Sequence, residues 1–250
     1  MTLSASRRMW WLVQQGLREI VQLRFAWIAG LTTVVMLTGA SLLREFNFGA
    51  EEGRFLRDYA EATLALWGTV VALMLNLALV QGGVARGSLV MTFMRGVRRH
   101  EWLISRWVSV GVALAWLTLL GYATLGVLLA RYGHAVSFGE LAIGGGRMFL
   151  RLALISSFAL TACAVSQGLL LASGLALGLT LAAQLSSIFE WAGRHSGSVA
   201  RWCWQGLEWL VPAFRMLDAG TSLGAAITYA LGYSALYAML ACALFSRREI

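Results

Sequence analysis

Residues 86–106 read RGSLVMTFMRGVRRHEWLISR and lie between two long apolar runs, each able to cross a membrane. The stretch carries Arg86, Arg95, Arg98, Arg99 and Arg106 with a single carboxylate, Glu101. Between the charges sits an apolar patch of Leu89, Val90, Met91, Phe93 and Met94. A charged loop with an apolar centre, held between two membrane helices, suits the docking of a soluble partner. It also sets the fold class, because the runs on either side must be helices that leave and re-enter lipid.

The composition agrees. Of 250 residues, 59% are hydrophobic and 13% charged, against about 25% charged in ordinary globular domains. A water-soluble core cannot take up that much apolar surface, so the expected class is all-α, a single polytopic transmembrane domain over residues 1–250. Every basic residue is arginine, and the net charge of +8 comes from residues that flank apolar runs. That placement is expected of membrane loops, and nucleic acid is not an expected partner. Cys163, Cys203 and Cys242 form no CxxC pair, and His100, His134 and His195 stand alone. Neither a disulfide framework nor a metal site follows. No cleavable leader is expected, since the first long apolar run begins near Phe25 behind an amphipathic segment.

Working outward, residues 7–24 place Trp10, Val13, Leu17, Ile20 and Val21 at helical spacing, with Gln14, Gln15, Arg18, Glu19 and Gln22 opposite. This predicts an amphipathic helix lying in the membrane interface; a helix packed on a cytosolic partner is the other reading. Six spans are expected at about 25–43, 62–80, 107–130, 148–166, 168–189 and 223–245. The fourth and fifth would form a tight hairpin. Residues 44–61 and 131–147 read as loops, and Gly144-Gly145-Gly146 as a flexible connector, since no strand and no Lys-Ser/Thr accompany it. Gly174 and Gly178, like Gly220 and Gly224, have the small-xxx-small spacing that permits close helix approach. Residues 197–217 are too apolar for a free loop and too polar for a span, which predicts a short interfacial or re-entrant helix.

With the N-terminus inside, the inner segments hold slightly more arginine than the outer ones and three of the twelve acids. Both termini are therefore expected to be cytoplasmic. The spans hold almost no ionisable group except Arg151, which argues against an ion-coupled transporter and against a membrane enzyme. Asn76 is the amide of the second span. Tyr229, Tyr233 and Tyr237 recur every fourth residue along the last span. These four side chains either line a substrate path or pack a helix interface.

An interfacial helix, six spans and a charged loop between the second and third resemble the membrane subunits of type-2 ABC transporters, such as bacterial ABC exporter permeases. In that family the loop has Gly-Thr-Leu, then Pro-x-Ser-Arg-x-Glu and a small-basic pair. Here it has Gly87-Ser88-Leu89, then Arg95 to Glu101, then Ser105-Arg106, with Gly96 at the family's proline. Leu210-Val-Pro212-Ala-Phe214 and Phe245-Ser-Arg247-Arg248-Glu249 resemble the family's Leu-Pro-x-Phe element and its basic C-terminus. The likeness implies a non-catalytic permease subunit in the bacterial cytoplasmic membrane. It implies pairing with a second copy or homologue, and two ATPase subunits docked on the loop. ATP and Mg would be held by those partners, and no cofactor by this chain. The coupling residues it implies are Gly87, Leu89, Met94, Arg98, Arg99 and Glu101. The alternatives are a permease-like subunit that passes force to an extracytoplasmic accessory protein without moving a solute, and a membrane channel or enzyme of another class.

Overall fold

The structure, a computed structural model, describes residues 5–40, 52–85, 93–94, 96–133, 137–166, 168–195, 202, 204, 206, 209–218 and 220–247. The described residues are mostly helical, with no strand among them. The first helix, α1 (Ala5–Gln22), buries Leu12, Val13, Gly16 and Ile20 along one stripe and exposes Gln14, Arg18 and Gln22. That is the amphipathic pattern of the sequence with its centre shifted. Trp10 and Val21, on the apolar face of the sequence pattern, are exposed. The packed stripe is centred on Gly16, whose missing side chain lets the backbone approach Ser109.

Leu23, in an extended conformation (φ −71°, ψ 113°), breaks the helix before α2 (Arg24–Gly39). The two helices meet at a 67° bend, and the Trp27 indole Nε1 donates to the Val21 carbonyl across it at 3.0 Å. With 16 residues, α2 is about 24 Å long, short of the roughly 30 Å hydrocarbon core.

Four helices are long and apolar enough to cross a membrane: α3 (Glu52–Ala85), α4 (Arg99–Arg131), α5 (Phe138–Val165) and α8 (Leu223–Ser246). The bent pair of α1 and α2 would make a fifth. The expected span at 168–189 is two pieces, α6 (Leu169–Gln184) and the amphipathic α7 (Ser186–His195), separated at Leu185. The helices α3, α4 and α5 begin well before the apolar runs that announce them. Lipid sets where apolar residues must stop; it does not stop a helix, whose polar turns continue into water with their hydrogen bonds intact. The expected loop at 52–61 is therefore the first part of α3, and the glycine triplet lies inside α5.

The centre of the bundle is α5, which packs against α3, α4, α6 and α8. Every residue from Leu154 to Ala164 is buried, the all-round burial of a helix enclosed by others. Small and hydroxylated residues make this possible, because helix association in lipid rests on close approach and interhelical hydrogen bonds. Asn76 is 1% exposed and sits at the interface of α3 with α5; its amide donates to Ser156 Oγ at 2.9 Å and to the Ala72 carbonyl at 2.8 Å. One turn further on, Gln81 donates to the Cys163 and Ser166 carbonyls at 3.2 and 3.1 Å. These bonds satisfy carbonyls left open where α5 ends, and α6 turns back to pack against α5.

Candidate functional site

The loop that opened the sequence reading ends on α4, and the structure shows what holds that end. Gly87 and Leu89 lie outside the described residues. Gly96 has φ +76°, and its N–H donates to the Phe93 carbonyl at 2.9 Å, closing a turn. Proline cannot adopt that angle, so the glycine here builds a different turn from one that a proline would. Met94 (82% exposed) and Arg98 present themselves to solvent on either side of the turn. Arg98 is the N-cap of α4, and its backbone N–H donates to the Glu101 carboxylate at 3.2 Å. A carboxylate three residues into a helix both caps it and meets the positive end of its dipole.

From that point α4 is fastened to both ends of the chain. Arg8 on α1 lies 3.8 Å from Glu101. Arg99 donates to the Ser246 carbonyl at the end of α8 at 3.2 Å, with its guanidinium 5.9 Å from the centre of the Phe93 ring. Trp102 and Phe245 stack at 5.8 Å, both fully buried.

One turn deeper is Arg106, which the sequence reading grouped with the loop arginines. It is 3% exposed, pairs with Glu19 of α1 at 2.8 Å, and rests its guanidinium 5.4 Å from the Trp102 ring centre. Ser109 Oγ donates to the Val13 carbonyl at 3.1 Å. A Cβ on Gly16 would collide with Ser109 Oγ and Cβ. Glu19, Arg106, Ser109 and Gly16 thus lock α1 onto α4. The signal was available: a lone arginine within two turns of a long apolar run needs an acid, and Glu19 is the acid of the amphipathic helix.

Tyr229, Tyr233 and Tyr237 all face residues 209–213. The Ala213 N–H donates to Tyr229 Oη at 2.8 Å; Tyr233 and Tyr237 donate to the Trp209 and Leu210 carbonyls at 3.0 and 2.8 Å. Leu210 is therefore held against a residue fourteen positions into α8, about 21 Å along its axis. Residues 209–213 pack along α8 and lead into a 3₁₀ turn, Phe214–Leu217, with Val211, Phe214 and Leu217 buried. Backbone carbonyls at this depth need donors, and the tyrosine hydroxyls supply them. Phe158 of α5 packs edge-on to Tyr237 at 4.8 Å behind them.

At the other end of the bundle, charges assigned by sequence to loops and span edges converge. Glu61 of α3, Glu140, Arg147 and Arg151 of α5, and Asp218 line a cleft of about 300 Å³. Glu140 is paired with Arg57 of α3 at 3.2 Å. Among the described residues no cluster of His, Cys, Asp and Glu is arranged to hold a metal ion. The sequence matches no family model and no curated protein.

Proposed function

We propose that this chain is the membrane subunit of an ABC transporter, coupling ATP hydrolysis by a separate ATPase to movement of a substrate. The observation that carries this reading is the fastening of the first turns of α4 to α1 and α8 together. A force applied at the turn around Gly96 reaches Glu101–Arg8, Arg106–Glu19 and Trp102–Phe245 within two helical turns. A rigid connection of that kind suits rigid-body coupling between a docked motor and a bundle. The exposed Met94 supplies an apolar anchor and Arg98 a charged rim, the composition expected of an interface contact.

On this reading α1 lies in the membrane interface, α2 and α6 complete six spans, and both termini face the cytoplasm of a bacterium. Two such chains, or one and a homologue, pair above two ATPases. ATP and Mg belong to the ATPases. The test is co-purification. The Leu89→Asp, Met94→Asp double variant is expected to lose the ATPase while remaining monodisperse in mild detergent. A variant that still purifies with an intact ATPase overturns the docking assignment.

A further inference from the structure

The cleft between α3, α5 and Asp218 sits at a level where the outside of the bundle is apolar. Arg147 and Arg151 are nine and thirteen residues into α5, about 14 and 20 Å from its start. Over the same turns the outer faces of α4 and α5 form an apolar groove lined by Val127, Leu141 and Gly145. The cleft is open: Glu61, Glu140 and Asp218 are exposed at its rim, while Arg147 and Arg151 are half-buried in its wall. Ionisable side chains gathered beside so apolar a surface mark a binding site or a path.

The cleft has a built wall. Tyr122 of α4 lines both the cleft and the outer groove, and its ring packs against Gly144 and Gly145. A Cβ at Gly144 would stand 3.0 Å from the Tyr122 ring, so the glycine pair is what allows the ring to seal the seam.

The charges of the cleft are only partly paired. Glu140 is taken by Arg57, and Arg147 donates to the Thr221 carbonyl at 2.7 Å. Arg151 lies over the Phe214 ring at 4.9 Å. Among the described residues, none closes an ion pair with Glu61, Asp218 or Arg151. Two carboxylates and two guanidiniums thus surround open space with no net charge between them. A cation alone or an anion alone would leave one pair without a partner, whereas a zwitterion meets both. The volume is at the small end of ligand sites, roughly 300–1,000 Å³.

We propose that this cleft binds a small zwitterion. Its ammonium is held by Glu61 and Asp218, and its phosphate or carboxylate by Arg147 and Arg151. Both the headgroup of phosphatidylethanolamine and a free ammonium-phosphate solute have this chemistry. The site does not depend on ATPase docking, and its test uses no ATP. The full chain, purified in nanodiscs of equal phosphatidylethanolamine and phosphatidylglycerol, is examined by native mass spectrometry for retained lipid. In nanodiscs of phosphatidylglycerol alone it is titrated calorimetrically with glycerophosphoethanolamine.

Retention of phosphatidylethanolamine without binding of the soluble probe assigns the site to lipid; binding of the probe assigns it to the headgroup chemistry alone. In either case Glu61→Gln, a conservative change at an exposed position, and Arg151→Gln are each expected to weaken binding about tenfold or more. Arg24→Gln, at the opposite end of the bundle, is expected to leave it unchanged. The proposal is overturned by no preference in either arm, by phosphatidylglycerol or glycerol phosphate binding equally well, or by cleft variants that bind as the wild type does.

Discussion

Removing one partner of the Glu19–Arg106 pair should cost more from one side than from the other, because the two side chains differ in exposure. Arg106 is 3% exposed and Glu19 30%. In Glu19→Leu the guanidinium stays buried without its carboxylate, while its Nε and Nη1 already lack partners among the described residues. The cost of an uncompensated buried charge is about 3–5 kcal/mol. In Arg106→Met the carboxylate that remains can reach solvent or headgroups and keeps a 3.4 Å contact from the Gln15 amide. A loss of about 1–2 kcal/mol is expected there, covering the hydrogen bond and the contact with Trp102.

The double variant Glu19→Leu, Arg106→Met replaces the pair by apolar groups of similar bulk and should lie within about 1 kcal/mol of wild type. For a chain of this size about 1 kcal/mol moves Tm by roughly 2–4 °C. Melting followed by tryptophan fluorescence in detergent should therefore put Glu19→Leu lowest, Arg106→Met between, and the double variant near wild type. The reasoning fails if Arg106→Met melts at or below Glu19→Leu, or if the double variant shows the sum of the two losses.

Two other substitutions probe the contacts that position the same elements. Gly16→Ala puts a methyl group into Ser109 and should lower stability by about 1–3 kcal/mol, whereas Gly39→Ala, with open space around its Cβ, should not; thermal melting of both in parallel checks this. The Tyr233→Phe, Tyr237→Phe double variant removes the hydroxyls that satisfy the Trp209 and Leu210 carbonyls, at about 1 kcal/mol each. Faster amide exchange over residues 209–217, measured by mass spectrometry, is the expected outcome, and unchanged exchange would show that those hydroxyls do not hold the segment.

The sequence makes the helical membrane class plain, since apolar runs of this length leave little alternative. It also locates the last span closely, because Ser222 caps α8 where the apolar run begins. What it leaves obscure follows one cause. Span boundaries read from hydropathy treat a charge as the end of a helix, yet Arg57, Glu61, Arg106, Glu140 and Arg147 all lie on helices that continue through them. Once those residues are assigned to loops, their side chains have no direction, and neither the Glu19–Arg106 lock nor the cleft of α3 and α5 can be seen.

The glycines mislead in the same way. Gly144 and Gly145 resemble a connector because glycine is a poor helix former in water. In a bundle the missing side chain is the point, since it gives the Tyr122 ring room to approach. An arginine near the edge of an apolar run is therefore better read by asking which acid it can reach across the bundle. For Arg106 the amphipathic helix offers Glu19 alone, while Arg147 and Arg151 face Glu61 and Asp218 across an open cleft and pair with neither. The first arrangement fixes a helix in place. The second leaves both signs of charge available to a ligand.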